Sequence, residues 1–163
     1  MTDFQKNPGS PKDDLRAIRI IFAAIIAGAL IFALITLVMI QGEGFPSAGI
    51  ESYQDTIFWI AAGITLLCFI LGWNMYKKRL AVAKDSLIPL NDKLNHYRAA
   101  LILYIALCEG PALFGIILFF ITGYYYFLVL TGLMIVAMLV KMPTLSRVTN
   151  DLGLDWQQQQ EFE

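Results

Sequence analysis

Between residues 20 and 40 the chain runs through 21 residues without one charged side chain. As a helix rising about 1.5 Å per residue, such a run reaches about 31 Å, the hydrocarbon thickness of a bilayer. Three further apolar runs follow at 56–76, 99–121 and 125–140. The second has Asn74 as its most polar member, the third is interrupted only by Glu109, and the fourth is the shortest at 16 residues. None carries the 3.6-residue apolar stripe of a half-solvated helix, so these helices are expected to face lipid and one another. None alternates apolar and polar residues, which argues against a membrane barrel. The expected fold class is all-α, a polytopic membrane protein with four transmembrane helices in two hairpins. A single domain covers 1–163, with a mobile cytoplasmic tail at 1–15 and a short helical cytoplasmic tail at 141–163.

Composition narrows the function classes. Apolar residues make up 58% and charged residues 15%, against about half and a quarter in a soluble domain. The net charge of −1 gives nucleic acid nothing to bind. His96 is the only histidine and sits in the polar approach to the third run, so neither a metal site nor a catalytic triad can be assembled. The chain is therefore expected to be no enzyme and to use no cofactor or metal. Cys68 and Cys108 lie inside apolar runs and read as small hydrophobes.

Basic residues are segregated along the chain. Lys6, Lys12, Arg16 and Arg19 precede the first run, and Lys77, Lys78, Arg79, Lys84, Lys93 and Arg98 fill the middle connection. Lys141 and Arg147 follow the fourth run, which completes all 12. The connection 41–55 has none but carries Glu43, Glu51 and Asp55. Excess Lys and Arg mark cytoplasmic segments, so Lys77, Lys78, Arg79 and Arg98 serve as topology anchors and both termini are cytoplasmic. The expected location is a bacterial inner membrane. The run 20–40 is longer than a signal-peptide core, and Asp13 and Asp14 interrupt its basic flank, so an uncleaved first helix is expected.

The connections carry local signals of their own. Residues 77–83 can extend the second helix, Lys84-Asp85-Ser86 reads as a turn with Asp85 or Ser86 as cap, and Pro89 suits a first helical turn. Pro143 can begin a short helix that Gly153 closes. Aligning Arg16 with Arg98 superposes the first and third runs with seven identities over 27 residues, a pattern compatible with a duplicated hairpin. The alignment places Ala24 and Gly28 on Ala106 and Gly110. Small residues four apart permit close helix approach in membranes, so these four are candidate packing positions.

Glu109 stands 11 residues beyond Arg98, near the bilayer midplane. A charge at that depth costs roughly 2.5–3.5 kcal/mol on insertion scales, so the carboxyl is expected to be neutral unless paired. Pro111 lacks an amide proton and leaves the Leu107 carbonyl without its helical donor, while Gly110 removes a side chain, so the pair loosens the helix. Glu109 is thus either an ion-binding carboxylate or a packing carboxyl, the latter bonded to Thr36, Thr65, Thr131 or a second subunit.

The stretch Ala106-Leu107-Cys108-Glu109-Gly110-Pro111-Ala112-Leu113-Phe114-Gly115-Ile116 resembles the carboxylate-bearing helix of the ATP synthase c subunit, the rotary proteolipid. That resemblance implies an ion carried by Glu109. In the c subunit the carboxylate lies on the second helix of a hairpin, whereas Glu109 lies on the first of its pair. The whole chain, with Glu109-Gly110-Pro111, Thr122-Gly123 and Pro143-Thr144, resembles small uncharacterised four-helix bacterial membrane proteins. Two function classes follow. One is a non-enzymatic accessory or interaction subunit that meets the lipid bilayer and a homo- or hetero-oligomeric membrane partner. The other is a proton- or cation-translocating proteolipid-like subunit working through Glu109.

Overall fold

The computed structural model describes residues 11–43, 53–84 and 89–154. Five helices follow in chain order: α1 (Pro11–Glu43), α2 (Gln54–Ala83), α3 (Leu90–Thr122), α4 (Tyr126–Val140) and α5 (Leu145–Leu152). Among the described residues there is no strand. The all-helical class expected from the apolar runs is what the chain adopts.

α1, α2 and α3 are each long and apolar enough to cross a membrane. α4 has 15 residues, about 22 Å, and reaches the required length only together with α5, which bends away from it by 74°. Large apolar side chains cover the outside of the bundle, among them Ile31, Leu34 and Val38 on α1 and Leu66 and Leu67 on α2. Contiguous exposed apolar surface on this scale is foreign to a water-soluble monomer.

Two boundaries differ from the sequence expectation. α1 begins at Pro11, so residues 11–15 are helical. Pro11 occupies the first helical position and Asp13 and Asp14 the first turn, where a missing amide proton costs nothing and negative charge meets the helix dipole. α3 begins at Leu90 with Pro89 as its cap residue, one position outside the first turn. The expected turn and caps at Asp85 and Ser86, like the segments 1–10 and 155–163, lie outside the described residues.

α3 is the hub. It packs against α1, α2 and α4, while α1 leans on α3 and slightly on α4 and barely meets α2. The expected pair of equivalent hairpins is therefore absent from the packing: α3 and α4 form a tight hairpin, whereas α1 and α2 do not. The tight link has a local cause. Gly123 adopts φ 70°, the left-handed conformation that favours glycine, and its amide bonds the Phe119 carbonyl.

The small residues that hold helices together are not the four expected ones. Ala24, Gly28, Ala106 and Gly110 all face outward, and a Cβ added at Gly28 or Gly110 would meet nothing within 4 Å. The close approaches occur at Gly72, where α2 meets Tyr104 and Leu107, and at Gly115. A Cβ at Gly115 would lie 2.5 Å from Thr131 Oγ1 and 3.0 Å from the Phe127 carbonyl oxygen. The Thr131 hydroxyl meanwhile donates to the Ala112 carbonyl at 2.9 Å, tying α4 to α3.

Candidate functional site

Glu109 sits on α3 one turn beyond Ile105, which lines the cleft between α1 and α3 with Phe22 and Arg98. It is half-buried, and its neighbours in the same stretch differ: Cys108 and Pro111 point into the core, while Ala106 and Gly110 are exposed. α3 runs unbroken through Pro111. None of the three threonines expected as partners is bonded to Glu109. Thr36 donates to the Phe32 carbonyl, Thr65 to Ala61 and Thr131 to Ala112. Among the described residues the Glu109 carboxyl has no hydrogen-bond or ion-pair partner within the chain.

The topology anchors occupy one end of the bundle. Lys77, Lys78 and Arg79 are exposed along the last turns of α2, and Arg98 is half-buried against α1. At this basic end the chain builds a cluster that sequence reasoning did not assemble. Lys141 Nζ lies 4.5 Å from the centre of the Trp73 ring and 4.7 Å from that of Tyr76, and Lys77 Nζ approaches Trp73 at 4.9 Å. Burial pushes the Lys141 ammonium below its usual range, the nearby Arg147 and Lys77 add to that, and Asp151 opposes them.

α5 closes this end. Val148 and Leu152, one turn apart, are buried in the same core cluster as Tyr76, Leu94 and Tyr97. Thr144 caps the helix by accepting from the Arg147 amide, and Gly153 ends it at φ 60°. The bend before α5 is held by two arginines. Arg19 Nε donates to the Pro143 carbonyl at 2.6 Å, and the Arg147 guanidinium donates to Val140 and Met142. These donors satisfy the carbonyl of the last residue of α4 and two carbonyls of the link to α5. The Tyr76 hydroxyl donates to Asp151 Oδ2 at 2.8 Å, and the Tyr97 hydroxyl is buried nearby without a hydrogen bond in this geometry.

A hydrogen bond to a charged acceptor contributes about 1.5–3 kcal/mol, so the Tyr76–Asp151 contact is the natural clasp for α5. Tyr76→Phe is expected to loosen α5 and speed proteolytic cleavage after Arg147. Asp151→Asn, which still accepts, should change cleavage less. Equal protection in both variants would show that the apolar contacts of Val148 and Leu152 suffice.

The opposite end is rich in aromatics. Phe58 meets Trp59, Tyr126 and Phe127 edge-on, and Tyr124 packs on Tyr126. Along α2, Trp59 and Trp73 are therefore about 21 Å apart at opposite ends of the apolar surface.

Among the described residues no three His, Cys, Asp or Glu side chains converge to hold a metal. Cys68 and Cys108 are both free thiols, and Cys108 is fully buried. Comparison of the chain with protein-family models, with curated proteins and with solved structures finds no match.

Proposed function

We propose that this chain is an integral protein of a bacterial inner membrane and acts as a non-enzymatic accessory or interaction subunit. The observation that carries the reading is Glu109: a half-buried carboxyl without a hydrogen-bond or ion-pair partner among the described residues, flanked by the exposed small residues Ala106 and Gly110. In hydrocarbon such a group is unfavourable until another polar group meets it, and small neighbours let a second helix come close. The apolar exterior and the segregation of basic residues support four spans with both termini in the cytoplasm. On this reading α4 spans between Tyr124–Tyr126 and Lys141, with α5 folded along the cytoplasmic face.

Reporter fusions at Ser47 and Asp85 test the orientation. Periplasmic activity at Ser47 and cytoplasmic activity at Asp85 are expected; the reverse would overturn the topology. The translocating alternative is tested in vesicles. Glu109→Gln keeps hydrogen-bonding capacity but cannot exchange a proton, so an accessory subunit should retain its function. A proton flux of the wild type that Glu109→Gln abolishes would replace the accessory reading with the translocating one.

A further inference from the structure

Between α2 and α4, on the outside of the bundle, runs an apolar groove of about 440 Å³. Its walls include Ala62, Leu66 and Phe69 from α2 and Leu130, Leu133 and Ala137 from α4. Both walls are helical stripes that continue past the groove into the basic end. On α2, Phe69 is followed one turn later by Trp73, on which it stacks at 6.4 Å, and a turn later by Lys77. On α4, Ala137 is followed one turn later by Lys141. The two lysines meet over the same indole, so the groove leads directly to a paired cationic mouth.

We propose that this groove holds one acyl chain of a phospholipid with an anionic headgroup, whose phosphate is received by Lys77 and Lys141. The inference rests on the membrane-embedded reading above and is independent of the role of Glu109. Three observations support it. The volume falls within the roughly 300–1,000 Å³ of ligand clefts, and the lining is almost wholly apolar. From Ala62 to Phe69 the groove follows about 10 Å of helix, and the same stripe continues through Trp73 to about 16 Å, close to half of a hydrocarbon core of about 30 Å, the depth of one leaflet. Positive charge also gathers at the mouth: among the described residues Lys77 and Arg147 both crowd the Lys141 charge, and Asp151, the carboxylate that opposes them, already accepts from Tyr76. Basic pockets between helices on the cytoplasmic side are where anionic headgroups bind, and the desolvation that disfavours the Lys141 charge is relieved by a phosphate.

Trp73 at the mouth reports occupancy. A chain retaining it as the single tryptophan (W59F and W156F) is reconstituted into phosphatidylcholine vesicles containing a small fraction of brominated phosphatidylglycerol or brominated phosphatidylcholine. At equal mole fraction, brominated phosphatidylglycerol is expected to quench Trp73 several-fold more strongly. Lys77→Gln with Lys141→Gln should remove that preference, and Ala137→Phe, which fills the groove beside the mouth, should weaken quenching by the anionic lipid. Equal quenching by the two lipids in the wild-type background would overturn the lipid site while leaving the membrane reading intact. Failure of the protein to float with vesicles, without quenching by either lipid, would overturn both.

Discussion

Gly115→Val is expected to be the most damaging single change in the bundle. The new side chain would begin 2.5 Å from Thr131 Oγ1 and 3.0 Å from the Phe127 carbonyl, and only the first of these belongs to a side chain. α4 would have to move off α3, disturbing the bond from Thr131 to Ala112 at the same time. Overpacking of this kind costs typically about 1–3 kcal/mol and more where backbone must shift. Gly115→Ala should show a smaller loss in the same direction. Gly28→Ala provides the contrast, since nothing lies within 4 Å of its Cβ position and a helical glycine is about 1 kcal/mol less favourable than alanine. Denaturant titration in detergent should therefore rank Gly28→Ala at or above wild type, with Gly115→Ala and then Gly115→Val below it. Equal tolerance at Gly28 and Gly115 would refute the close α3–α4 approach.

The second large effect is expected at Glu109. Glu109→Leu removes the polar group and matches the apolar flank around it, so the isolated chain should fold at least as well as wild type. What it should lose is assembly, because the partner's polar group would then face hydrocarbon unpaired. An interhelical hydrogen bond in a membrane contributes about 0.6–2 kcal/mol, and the orphaned partner adds to that loss. Glu109→Gln should retain assembly. Loss of assembly in Glu109→Gln alongside intact folding would show that titration, and not hydrogen bonding, is what the site needs.

The long apolar helices were legible in the sequence because hydrophobic length is a local property: any run such as 20–40 declares itself without reference to its neighbours. Gly153 and the helix before it were legible for the same reason, since a C-terminal cap is a short-range signal. Which face a helix turns inward is decided by where the other helices lie. Composition located Ala24, Gly28, Ala106 and Gly110 correctly as small residues, but the arrangement of α1 and α2 on different parts of α3 left all four on the outside. Gly72 and Gly115 were equally visible as glycines and had no signal marking them as contacts. The cluster of Trp73, Tyr76, Lys141 and Asp151 joins residues from three helices across 78 positions of sequence, so it appears only once α5 has folded back. One clue was available: Val148 and Leu152 stand four apart between polar residues, an apolar stripe that needs a surface to cover it.

Glu109 was singled out by its rarity alone, and the packing sharpens its meaning. Among the described residues no bond joins Glu109 to any of the three threonine hydroxyls that were candidate partners, each of which donates to a backbone carbonyl, so the partner we propose lies outside the chain. The mass of the native assembly in gentle detergent tests that step most directly. Wild-type protein is predicted to carry a second chain, a further copy or a different protein, that Glu109→Gln keeps and Glu109→Leu sheds. A wild-type protein found only as an 18.3 kDa monomer, unchanged by either substitution, would contradict the account.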